Sequence, residues 1–218
     1  LGDNRVIGGL LLNLGIALID QRAAQQARAH LEESLAVMQQ LGDKQHIALI
    51  KRGMALFALR ENQPHAAQVY IEESLTILRQ SQGDVYLGMA LVTKGEVLLA
   101  LGDGETAIAT LHEALSILMK MKKPQPLADA IYWLAKALGR HGSGSQVIQL
   151  VQAADAIARQ YDLRFPHHLK DSLPAHLTSS GITAIVLSQG TSQLPDLSHA
   201  SLTDILNSVE IVLRAVAR

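Results

Sequence analysis

Apolar residues in the first forty positions fall into two stripes. Leu11, Leu14, Gly15 and Leu18 make one, and Ala27, Leu31, Ser34 and Leu35 the other. Steps of three and four residues place each set on one face of an α-helix. The pattern then recurs. Leu31-Glu32-Glu33-Ser34-Leu35 is followed forty residues later by Ile71-Glu72-Glu73-Ser74-Leu75 and then by Leu111-His112-Glu113-Ala114-Leu115. Val151-Gln152-Ala153-Ala154-Asp155 is a weaker fourth copy. Small residues keep the same period: Gly15, Ala55, Gly95 and Ala135, then Ala27, Ala67 and Ala107, with the bulkier Val147 fourth. A fixed period of this length marks a helical-repeat array, in which each pair buries its outer face only by stacking on the next.

Turn chemistry punctuates the stripes. In "LGDGE", Leu101–Glu105, Gly102 suits a helix C-terminus and Asp103 the N-cap of the helix that follows. Pro64 suits a first helical turn, where its missing N–H costs nothing. "GRHGSGS", residues 139–145, breaks the fourth unit, with Ser143 or Ser145 as the cap. Gly15 and Ala27 are expected where the two helices of a pair come closest. The second unit has two registers. With an unbroken forty-residue spacing, Lys51 takes the core position of Leu11; with Gly53 set against Gly15, Arg52 takes that of Leu14. Its first helix is therefore left out of any site assignment.

Beyond about Phe165 the periodicity stops. "FPHHLKD" reads as a junction, and "ITAIVLSQG", residues 182–190, reads as a short helix in preference to a strand, since a lone strand has no sheet to join. A final helix follows, with Ser201 and Asp204 as a capping box. Leu202, Ile205, Leu206, Val209, Leu213 and Val216 form its apolar stripe. The expected cover is the open end of the last repeat, with a homodimer or interdomain face as the rival.

Leu11, Gly15, Leu18, Ala27, Leu31 and Ser34, with Leu91, Gly95, Leu98, Ala107, Leu111 and Ala114, resemble tetratricopeptide repeats. The unit is longer than theirs. The phrase "LGD…A…EESL…LGD" is similar to the C-terminal helical repeats of bacterial LuxR-type and SARP-type regulators and cyclase-linked signalling ATPases. The resemblance implies an all-α fold: about four helix pairs in a right-handed α-α superhelix over residues 1–164, with a helical cap or extension over 165–218. It also implies a repeat arm that receives a protein or small effector and restrains a neighbouring domain. The start at Leu1 without Met and the end inside a helical pattern are expected of a piece of a longer protein.

Composition narrows the classes. The chain has 218 residues, 48% of them hydrophobic and 18% charged, so it is expected to be globular without staples. A net charge of −1 argues against direct nucleic-acid binding, and "KMKK" at 120–123 reads as a solvated helix end. The absence of cysteine removes thiolate metal and redox sites and fits a cytoplasmic setting. No apolar run is long enough to span a bilayer.

Few motifs that carry chemistry are present. The chain contains no GxxxxGK[ST], HExxH or GxSxG. His167 and His168 are adjacent, so on one helix they point about 100° apart, poor geometry for chelation. Glu32–Glu33 and Glu72–Glu73 read as exposed helix surface. No catalytic residue, metal or cofactor is expected. The expected site is a partner-binding groove lined by the first helix of each pair: Asn13 with Ile16, then Thr93 and Glu96, then Asp129, Trp133, Lys136 and Arg140, spaced along one face. Trp133, Lys136 and Arg140 suit an acidic or carboxylate-bearing partner; the bland alternative packs Trp133 under the C-terminal cap. Tyr132 is expected to face the neighbouring helix. The function expected is a non-catalytic interaction or sensor module of a bacterial regulator, binding a protein, a peptide or a neighbouring domain of its parent. The alternatives are a small-molecule effector domain and a free-standing adaptor.

Overall fold

The structure, a computed structural model, describes residues 2–21, 23–80, 84–139, 144–163, 197 and 200–216. These residues form helices and short turns, with no strand among them. The helices are α1 (Gly2–Asp20), α2 (Ala24–Leu41), α3 (Lys44–Arg60), α4 (Pro64–Leu78), α5 (Asp84–Leu101), α6 (Gly104–Met121), α7 (Pro124–Leu138), α8 (Gly144–Gln160) and α9 (Leu202–Val216). The chain divides into two compact units at Asp103/Gly104, inside the span expected as one repeat domain, and α9 groups with the later repeats.

In the first unit α1 packs on α2, α3 on α4, and α3 also on α1 and α2 before it. The reason lies in residues with little or no side chain. A Cβ on Gly15 would lie 2.9 Å from Leu31 Cγ and 3.3 Å from the Ala27 carbonyl oxygen, so the helices of this pair meet where expected. The hydroxyl of Ser34 donates to the Gly8 carbonyl at 2.7 Å, and that of Ser74 donates to the Ala48 carbonyl at 2.7 Å. Both residues of the second bond lie forty positions after those of the first. The second unit's register is therefore the unbroken one, and Ala55, fully buried, is the counterpart of Gly15. Gly53 has a different role: a Cβ there would meet Leu31 and Leu12 of the preceding pair. Lys51 takes the position of Leu11 by running its stem along α4, its Nζ 2.6 Å from Glu73 and 5.4 Å over the Tyr70 ring.

The helix ends carry a shorter period. Gly42, Asn62, Gly102, Lys122 and Asp162 all have positive φ, between 49° and 86°, and their numbers fall on a twenty-residue grid. At the first of them the Gly42 N–H bonds the Gln39 carbonyl and the Asp43 N–H the Met38 carbonyl. This paired closure of a helix end recurs at Asn62, Gly102 and Asp162. Among the described residues, the ends of α2, α3, α5, α6 and α8 thus keep a twenty-residue spacing. Pro64 and Pro124 open α4 and α7 in the first turn. Asp43 caps α3, accepting from the His46 N–H at 3.1 Å.

In the second unit α7 packs between α6 and α8, and α9 packs on α8. Ser201 and Asp204 form the expected capping box, with the Ser201 N–H donating to the Asp204 carboxylate at 3.1 Å and the Asp204 N–H to the Ser201 hydroxyl at 3.3 Å. Ile205, Leu206, Val209, Val212 and Leu213 are buried, so the stripe that also suited a second copy is covered within the chain. The segment 182–190, the histidines 167–168 and most of "GRHGSGS" lie outside the described residues. No helix among the described residues is long and apolar enough to cross a membrane.

Candidate functional site

In the first unit the unbroken register sets the first helices α1, α3 and α5 side by side. The stripe containing Thr93 and Glu96 on α5 corresponds to Leu49, Gly53, Leu56 and Arg60 on α3. In the first unit these helices are joined by polar contacts. The Arg60 guanidinium donates to the Glu96 carboxylate at 2.8 Å, and Arg52 Nη1 donates to the Thr93 hydroxyl at 3.3 Å. That hydroxyl in turn donates to the Met89 carbonyl at 3.2 Å. Glu96 is 6% exposed and Thr93 2%, so both are anchors for the arginines more than surface groups. A half-buried ion pair between two helices resists separation, because removing one partner leaves the other charge desolvated. Lys94 reaches back to Glu72 of α4 at 2.8 Å, a half-exposed pair. Glu72 and Glu73 lie at the surface as read, each held by a lysine.

The other expected residues fall in separate places. Asn13 is exposed on α1, and Ile16 is half-buried against the first pair's core. On α7, Asp129 accepts from the Gln125 amide at 3.0 Å. One turn further on, Trp133 is buried, with Lys136 Nζ 4.6 Å over its ring. An ammonium over an indole face is a favourable cation–π geometry. It also leaves the charge, and not the ring, as the group a partner would meet. Arg140 lies outside the described residues. Tyr132 faces α8, donating to the Asp155 carboxylate at 3.0 Å. Burial, and then the Asp155 charge, push its hydroxyl well above the usual tyrosine range, so it stays protonated.

Arg52 and Arg60 were missed by the sequence reading because the register of their helix was open. The signal that finds them is the pair of serines: Ser34 and Ser74 each stand twenty-six residues after a small first-helix residue, which fixes the alignment. Among the described residues, no three His, Asp or Glu side chains come together as a metal site.

The first unit also carries a cleft between α2 and α4, floored by α3. Met54, Phe57, Leu31 and Tyr70 line it, with Arg28 and Glu32 at its edge, and its volume is about 120 Å³. The chain matches no protein-family model and no curated protein.

Proposed function

We propose that the chain is a non-catalytic interaction module that takes a protein or peptide segment along its first helices. In this reading the helix pairs are of the tetratricopeptide kind. The chain is the sensor arm of a multidomain bacterial signalling or transcriptional regulator in the cytoplasm. The segment comes from a partner or from a neighbouring domain of the parent. Its binding shifts that domain between restrained and active states, by as much as the segment prefers one state over the other.

One observation carries this reading. Equivalent positions of the second helices are uniformly small or aliphatic: Leu31, Ile71 and Leu111 at one, Ala27, Ala67 and Ala107 at another. Equivalent positions of the first-helix stripe are not. Gly53, Thr93 and Trp133 share one, Leu56, Glu96 and Lys136 another, and Arg60 stands one turn on. Of these side chains Thr93, Glu96 and Trp133 are buried, and Arg60 and Lys136 are the half-exposed charges a segment would meet. Arginine is also among the residues most enriched at binding hot spots.

The test is site-specific cross-linking in the cells the gene comes from. A photo-reactive phenylalanine analogue replaces Leu56, between Arg52 and Arg60, and in a control it replaces Gln40 on α2. A discrete protein or same-chain product at position 56, lost on Arg60→Glu and missing at position 40, supports the reading. Equal products at both positions, or none at 56, overturn it.

A further inference from the structure

We infer that the outer face of α1 is a docking surface for the second helix of another helical hairpin built to this chain's own repeat pattern. Four large aliphatic side chains stand open there. Val6 is 62% exposed, Ile7 47%, Leu10 63% and Leu14 45%. The exposed large apolar residues elsewhere among the described residues, such as Val69, Met121 and Ile211, sit singly on separate helices. A continuous apolar patch of this kind marks an interaction site, whereas scattered single residues do not.

The repeat identifies what covers it. Forty residues after Ile7, Leu10 and Leu14 stand Ile47, Ile50 and Met54. Ile50 is fully buried in a core with Leu31 and Met38 of α2, and Ile47 and Met54 pack against that core. On α3, this face therefore receives the second helix of the pair before it. The next counterpart of Leu14 is Lys94 on α5, whose ammonium reaches Glu72 of α4, again the preceding second helix. On α7, which packs on α6, the counterparts Leu127, Ala130 and Leu134 are all fully buried. The same interface thus recurs at three later first helices, and α1 displays its receiving half uncovered. Its complement has a defined chemistry: a helix with alanine, then aliphatics four, eight and eleven residues on, as in Ala67, Ile71, Leu75 and Leu78. This inference is independent of the proposed partner segment, which lies along a different stripe.

The experiment adds the complement to the chain from Asn4 onward. A copy of residues 44–83 is joined directly to Asn4, which preserves the forty-residue register. In the copy, Ile50→Lys places a charge at the centre of its own outer face. Helicity by circular dichroism reports whether the copy folds, and amide exchange along α1 reports docking. The expected result is a folded copy and at least tenfold slower exchange over residues 6–14, with the slowing abolished by Leu10→Glu. A copy that stays unfolded, or one that folds and leaves α1 exchange unchanged, overturns the inference. So does self-association of the unextended chain at micromolar concentration that Leu10→Glu abolishes, because it assigns the face to a second copy of this chain. Either failure leaves the cross-link at position 56 untouched.

Discussion

The first and last pairs of the array end in opposite ways. On α1 the outer aliphatics Val6, Leu10 and Leu14 face solvent. On α8 the outer side receives α9, whose Ile205 and Val209 are 0% and 1% exposed. A repeat makes every face in the same style, so it generates an apolar surface at each end whether or not anything covers it. A cap is consequently added chemistry, and in α9 it comes with its own start signal, the Ser201–Asp204 box. The first pair carries no such device among the described residues.

That contrast can be broken by substitution. Val209→Asp places a charge between α9 and α8 and should lower unfolding stability by about 3 kcal/mol in a denaturant titration. Leu10→Asp, the same chemistry on the open end, should stay within about 0.5 kcal/mol of the parent. Equal losses at the two sites would show that α1 is covered after all.

Next in size comes the ion pair between first helices. Arg60→Met should cost about 2–3 kcal/mol because it leaves the Glu96 carboxylate desolvated, and adding Glu96→Leu should recover most of the loss. A double-mutant cycle measures the coupling directly. Ser34→Ala removes one hydrogen bond inside the first pair and should cost about 1 kcal/mol by chemical denaturation. Positions 114 and 154 already hold alanine at the equivalent place, so the hydroxyl is a local reinforcement and the fold persists without it. The smallest effect has the opposite sign. Lys122 sits at φ 49°, where a Cβ is unfavourable, and Lys122→Gly should raise the midpoint by an amount worth about 0.5–1 kcal/mol.

Stability also depends on pH through Asp43. Burial alone would raise this carboxyl, but the His46 N–H, the His46 ring and Arg5 together hold it below the ordinary aspartate range. A depressed folded value means its contribution is present above the unfolded value near 4 and is lost as pH falls further. Asp43→Asn should therefore flatten the acid limb of a stability–pH profile measured by chemical denaturation.

Much of this was legible along the chain. Leu31, Ile71 and Leu111 repeat because each fills the same place between helices. Pro64, Gly102 and the Ser201–Asp204 box act within one turn of themselves, so their neighbours in sequence are also their neighbours in space. The all-helical class and the paired helices follow from these local rules. The twenty-residue grid was harder to see, because Gly, Asn, Lys and Asp all serve as the left-handed residue and share no side-chain chemistry.

Other features depend on partners far apart in sequence. Whether Lys51 or Arg52 faced the core could not be read from α3 alone; Ser74 reaching Ala48, twenty-six residues back, decides it. Thr93 and Glu96 looked like open groove residues until Arg52 and Arg60, forty-one and thirty-six positions earlier, were found holding them. Trp133 is an interior ring with a lysine over it, because the turn of α7 that carries it packs among other helices. Periodicity determines which side of a helix is apolar. Only the packed structure decides which polar groups on the remaining sides find each other, because those pairings depend on distances between helices that no single helix contains.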